Sequence, residues 1–300
     1  MKISFAIAAA VLFSNVGLYA RTLPPLTEIL KPAPLLAYSF SDDSGPRVRD
    51  NGRCALHLEI SPAWSWGVPG SGVAGGPTLM RTGDRDIFVE NREAANSGLD
   101  GLRSFTVCGW YKLGFNERHT GVLFELEASG GNGFQLHFSS RAEAGGDGKR
   151  QGPWRHALVA VIGPKGTNPH TGEGVRYSSW ENPCARPGEW IFFAVVVDTI
   201  QADNGFLRFY AASENEPLAL IGQSRQPENR TRDFALGKIG AIRLGNSADL
   251  KMPVPVGTCF DEFRFHGSAS DNTGALSREM LKHIYARCSQ VRGKAESGRN

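Results

Sequence analysis

The chain has 300 residues, of which 41% are hydrophobic and 21% charged, and a formal net charge of +3. The apolar content suffices for a full-sized core in one or two domains, and the charge is too low and too balanced for a disordered chain. Nucleic-acid binding needs Lys and Arg clustered on one face and finds no support in this composition.

The first 20 residues read as a secretory signal. Met1-Lys2 gives a basic start, residues 3–13 are apolar apart from Ser4, and Leu18-Tyr19-Ala20 is a fitting cleavage site. The apolar run is shorter than the ~20 residues of a membrane span. Residues 21–34 carry Pro24, Pro25, Pro32 and Pro34 and should form an extended linker. A secreted or periplasmic protein without stable membrane insertion is expected. Residues 35–289 are expected to form one domain.

A first strand is expected over 35–40, ending at Asp42-Asp43-Ser44-Gly45-Pro46. In 54–60, Cys54, Leu56, Leu58 and Ile60 alternate, the period of a half-buried strand. Residues 67–77 are crowded with Gly and Pro and read as a loop. A short strand follows at 87–89 and a clear one at 105–111, rich in aromatic and β-branched residues. Segments 121–126 and 134–138 read as a hairpin about Gly130-Gly131-Asn132-Gly133. Strands at 157–162, 239–244 and 259–265 and a second hairpin, 190–198 with 206–211, complete the set. Helical spacing appears only late, where Met280, Leu281, Ile284 and Tyr285 recur behind Ser277, a fitting N-cap. Residues 290–300 are polar and basic and read as a disordered tail. The class is all-β: a two-sheet antiparallel jelly-roll sandwich with one short C-terminal helix.

The five cysteines are Cys54, Cys108, Cys184, Cys259 and Cys288. Secretion permits disulfides, and the odd count leaves at least one thiol over. Cys108, in mid-strand, reads as a small buried hydrophobe. Cys184 and Cys288 are the better bridge candidates.

Six blocks in order resemble the laminin-G-like jelly rolls of the concanavalin A-like lectin and glucanase superfamily. They are 36–40 with its Asp/Ser/Gly turn, 105–112 (F-T-V-x-x-W-x-K), Trp190 with 192–198, the strand at 207–210, 242–246 (L-x-I-G-N), and 260–265 followed by Ala275-Leu276-Ser277. The usual Y-V-N-G hairpin after 207–210 is absent. The resemblance spans roughly Leu35 to Cys288 and implies the fold. Function is open, because the superfamily holds lectins, adhesive modules and glycosidases.

Three kinds of chemistry follow. Glucanases of this fold carry E-x-D-x-x-E on one strand, and the nearest match is Phe124-Glu125-Leu126-Glu127-Ala128. Glu125 and Glu127 share a face but lack the middle Asp and the third acid of that pattern. The expectation is therefore no catalytic residues. Members of the family often hold calcium near the chain ends, which implies a structural ion at Asp42, Asp43, Asp50 and Asp261. Carboxylates suit calcium, though Asp42 and Asp43 also suit a simple turn. Strict alternation puts Asp261 on the face of Phe263 and Phe265, where it needs a partner, either calcium or backbone amides. Trp64 and Trp66 would share a face, and Trp154, Tyr177 and Trp180 lie in loop-like surroundings. Together they are the expected sugar-stacking residues, with edge packing as the alternative. The expected function is a non-catalytic module binding carbohydrate or a surface protein. The alternatives are a glycoside hydrolase or polysaccharide lyase, and a structural envelope protein.

Overall fold

The computed structural model describes residues 33–40, 45–68, 71–85, 87–114, 121–139, 157–164, 175–179, 187–201, 206–224 and 234–297. They form two antiparallel sheets of eight strands each and one C-terminal helix. The first sheet runs β14 (Ala219–Ser224), β13 (Leu207–Ser213), β12 (Trp190–Asp198), β7 (Ser104–Lys112), β16 (Cys259–Ser268), β5 (Leu79–Arg81) and β4 (Trp64–Trp66), with β1 (Leu36–Tyr38) also on β16. The second runs β11 (Val175–Ser178), β10 (Ala157–Pro164), β9 (Asn132–Ser139), β8 (Gly121–Gly130), β15 (Lys238–Leu244), β6 (Val89–Asn91), β3 (Leu58–Ile60) and β2 (Arg47–Val48). This is the expected jelly-roll sandwich.

Period-two alternation sorts each strand's residues between layers. On β7, Phe105, Val107 and Tyr111 enter the core between the sheets. Cys108 and Trp110 point the other way, into a second apolar layer. On β12, Phe193 and Val195 face the core while Phe192, Ala194 and Val196 face that outer layer. A strand covered on both sides is apolar throughout, which explains the uninterrupted run at 191–197. The cover is helix α1 (Arg278–Ser297). It buries Leu281, Ile284 and Cys288 and stacks Tyr285 on Trp110, ring centroids 5.5 Å apart.

The helix starts as its sequence dictates. The Ser277 hydroxyl accepts the Met280 amide at 3.2 Å, satisfying one of the amides a helix start leaves orphaned. It runs to Ser297 rather than stopping near 289, because the polar residues there are good helix formers. Both hairpins form, β8 with β9 and β12 with β13. At the first turn Gly131 sits at φ +80°, a conformation other residues resist.

Short strands β2, β4, β5, β11 and β14 carry little pattern and appear only in the structure. The strand expected at 54–60 shrinks to β3. The Asp50 carboxylate claims the backbone ahead of it, accepting the amides of Ala37 and Gly52 on Oδ1 and of Leu56 on Oδ2. Ala55 in turn adopts φ +53°. Cys54, Cys108, Cys259 and Cys288 are all free thiols, so Cys288 is not a bridge half. Cys184 lies outside the described residues. Burial pushes the Cys108 thiol up to about 12 and Cys288 higher still, which keeps both protonated.

Candidate functional site

Alternation on the second sheet turns a different set of side chains away from the core. Phe134, Leu136 and Phe138 of β9 point inward, so Gln135 and His137 point outward. Ile242 and Leu244 send Arg243 of β15 outward, and Phe124, Leu126 and Ala128 do the same for Glu125 and Glu127 of β8. Strand register then aligns one residue per strand across all eight. Arg47 opposes Glu59, Glu59 opposes Glu90, and Glu90 opposes Arg243. Beyond Arg243 come Glu125, Gln135, Val161 and Arg176, each directly opposite the last. With strands ~4.8 Å apart, this row crosses the sheet over about 33 Å.

Its centre is buried and charged. Glu90, Arg243, Glu125 and Gln135 are 5%, 7%, 4% and 1% exposed. Arg243 Nε donates to Glu90 Oε2 at 2.9 Å, and its Nη1 donates to Glu127 Oε2 at 2.7 Å with Glu125 Oε2 at 3.6 Å. Glu90 is held from its other side by Arg92 at 2.6 Å. Gln135 Nε2 donates to Glu125 Oε1 at 3.2 Å. Burial pushes the Glu125 carboxyl up to about 7 against the opposing pull of Arg243 and Gln135, with Glu127 adding to the rise. Two acceptors at this centre, Glu125 Oε2 and Gln135 Oε1, have no hydrogen-bond partner among the described residues. At the Glu90 end, the row meets a cavity of about 660 Å³ lined by Arg47, His57, Glu59, Glu90, Arg92 and Glu93.

The expected site residues fall elsewhere. Trp64 is 5% exposed and stacked on Phe260 at 5.7 Å. Trp66 is on the same face, as alternation requires, but that face is the core side, and its indole donates to the Gly45 carbonyl at 2.8 Å. Tyr177 packs edge-on against Phe206 at 5.4 Å within the core. These three are packing residues, the alternative reading of loop-like aromatics. Trp154 and Trp180 lie outside the described residues.

Of the four expected calcium residues, two can be placed. Asp42 and Asp43 lie outside the described residues, and Asp50 is the backbone clamp described above. Asp261 is not on the face of Phe263 and Phe265. A bulge sets Glu262 and Phe263 opposite a single partner residue, between the Asp261–Trp110 and Arg264–Cys108 pairs, with Glu262 at φ +47°. The extra residue turns Asp261 to the outer side of the first sheet. There its carboxylate accepts the Glu262 amide at 2.9 Å and the Ala74 amide at 3.4 Å. Gly72 lets the loop approach this closely, since a Cβ there would lie 2.5 Å from Asp261 Oδ2. Of the two partners open to Asp261, the structure supplies amides. Asp50 and Asp261 thus each spend part of their acceptor capacity on backbone amides. Among the described residues no three metal-ligating side chains cluster.

Sequence reading paired Glu125 with Glu127 but missed Glu90, Arg243 and Gln135. Alternation alone could have turned Gln135 and Arg243 outward. Their convergence depends on strand order.

No family model and no curated protein matches the chain. Among solved structures, it is similar to a chain described under cell entry of botulinum neurotoxin type C through two ganglioside molecules. The TM-score is 0.52 at 9% identity, covering 87% of this chain and 53% of that one. The chain thus spans about half the length of that neighbour. A heptameric SAP-like pentraxin from Limulus polyphemus aligns with TM-score 0.41 at 14% identity, over 71% of this chain and 78% of its own. The Ruminococcus gnavus IT-sialidase CBM40 aligns with TM-score 0.40 at 13% identity, over 61% and 83%. At 9% identity the likeness to the first of these is one of fold alone.

Proposed function

We propose that this chain is a non-catalytic glycan-recognition module whose ligand lies along the outer face of the second sheet. One observation carries the reading: a transverse row of outward side chains with buried, unsatisfied acceptors at its centre and a polar cavity at one end. Buried polar atoms without partners are rare, and each asks for a missing one. Sugar hydroxyls are suitable donors. The fold-level likeness to the ganglioside-associated structure is in keeping with this. The signal-like first 20 residues support action outside the cytoplasm, and the six sequence blocks support a laminin-G-like affiliation. No helix among the described residues is long and apolar enough to cross a membrane.

Hydrolysis is the second reading, favoured by one observation: Glu125 and Glu127 lie within 3.6 Å of the same guanidinium nitrogen and Glu125 is pushed up to about 7, a carboxyl suited to donate a proton. Against it, Arg243 occupies the space between the two carboxylates where a scissile oxygen would have to lie.

A glycan array with neutral, acidic and amino-sugar ligands tests both. Binding of at least one class, weakened in Glu127→Arg, is the expected result. No binding to any glycan sinks the module reading. Cleavage abolished in Glu125→Gln would replace it with the hydrolase.

A further inference from the structure

The charges along the row are not evenly matched. Glu90 sits between two guanidinium groups, Arg92 at 2.6 Å and Arg243 at 2.9 Å. At the other end Glu125 and Glu127 share Arg243 Nη1, and the remaining neighbour, Gln135, is neutral. Among the described residues, the Glu125–Glu127–Gln135 end is therefore short of positive charge. It is also short of donors. Gln135 spends its Nε2 on Glu125, which leaves Gln135 Oε1 facing no donor among the described residues, while Glu125 has the guanidinium at 3.6 Å and the Ala248 backbone amide beside it. Both residues are more than nine-tenths buried, so bulk water does not cover the deficit.

An acceptor without a donor, Gln135 Oε1, beside two carboxylates that share one guanidinium has a specific complement: a small group with several N–H donors and a positive charge. Hydroxyls satisfy the hydrogen bonds but not the charge. An N-acetyl group offers one N–H and no charge. A carboxylate would meet Glu125 and Glu127 with like charge, which costs affinity.

We infer that this end of the row binds the protonated amine of a de-N-acetylated amino sugar, with the rest of the glycan lying along the row past Arg243 toward the Glu90 cavity. The inference rests on the glycan-recognition reading and narrows its ligand class. The upward push on Glu125 has the same origin: burial without a sufficient cation, which the amine supplies. Glu127 is the accessible member, its side chain 27% exposed, and forms the way in.

Calorimetric titration of the full chain with a glucosamine oligomer, the matching N-acetylglucosamine oligomer, a galacturonate oligomer and a lysine-rich peptide decides the matter. The glucosamine oligomer should bind at least about tenfold tighter than its N-acetylated counterpart, a difference of about 1.4 kcal/mol. Glu127→Gln, isosteric and partly exposed, should erase most of that preference while the protein stays folded by circular dichroism. Equal or tighter binding of the N-acetylated or acidic oligomer overturns the amine inference and leaves glycan recognition standing. Binding to the peptide with no sugar bound overturns both, as does no binding at all. A preference that survives in Glu127→Gln, and also in Gln135→Leu, places the amine elsewhere and overturns the assignment.

Discussion

The outer faces of the two sheets follow the same strand alternation and come to different ends. On the first sheet, Trp110, Phe192 and Ala194 turn outward and are sealed by Leu281, Ile284 and Tyr285 of the C-terminal helix. Its charges are consumed locally: Asp261 by backbone amides, and Glu262 by Arg264 at 2.5 Å. Trp110 Nε1 and Arg264 Nε lie close to the buried Cys288 of the helix. On the second sheet the outward residues include Glu90, Arg243, Glu125 and Gln135, and Gln135 Oε1 has no hydrogen-bond partner among the described residues. A face that the chain covers itself can be apolar. The centre of the second face is covered as well, with Gln135, Val159 and Val161 under 5% exposed, but it keeps charged and polar groups among its outward residues.

Four changes probe this contrast. The largest effect is expected for Arg243→Ala, which strips the guanidinium from Glu90, Glu125 and Glu127. Breaking a buried pair from one side costs about 3–5 kcal/mol, read as a lower midpoint in chemical denaturation. A loss below about 1 kcal/mol would mean that solvent already screens the cluster. Next comes Leu281→Ala under the helix, expected to cost about 2–5 kcal/mol by opening a cavity at a fully buried position. It should leave glycan binding intact, since the proposed ligand face belongs to the other sheet.

Third is the dependence on pH. Burial, then the neighbouring Glu262 charge, push Asp261 up to about 8, well above the value it has in an unfolded chain. A carboxyl raised on folding stabilises while protonated, so its contribution is complete below about pH 4 and disappears as pH rises through about 8. Glu125, pushed up to about 7, acts in the same direction. The melting temperature should therefore fall between pH 5 and pH 9. In Asp261→Asn, neutral throughout, the fall should be shallower; an unchanged slope would show that Asp261 is ionised in the folded protein. The smallest effect is Ser277→Ala, where loss of the cap to the Met280 amide should cost about 1 kcal/mol.

Much of the fold was legible in the residues. Strands 105–111, 190–198 and 259–265 declared themselves by β-branched and aromatic runs, and Ser277 marked the helix start. Local pattern failed where one residue upset the count. The bulge at Glu262 reverses the face of everything before it, and a Glu at positive φ gives no warning, because side chains with a Cβ seldom adopt it. Trp64 and Trp66 were read correctly as sharing a face, but nothing in W-S-W says which face. The row was illegible for another reason. Glu90 and Arg243 are 153 positions apart and meet only because β15 lies between β8 and β6. Sequence alternation says inward or outward; strand order, which sequence did not reveal, says who stands beside whom.

The most direct measurement compares the two faces in one sample. Side-chain NMR resonances of Arg243 Nε–H and the Gln135 amide report on the second sheet, and the Trp110 indole N–H reports on the first. Adding a glucosamine oligomer should shift the Arg243 and Gln135 signals saturably and leave Trp110 in place. A shift at Trp110 with Arg243 and Gln135 unmoved would contradict the assignment of the ligand face.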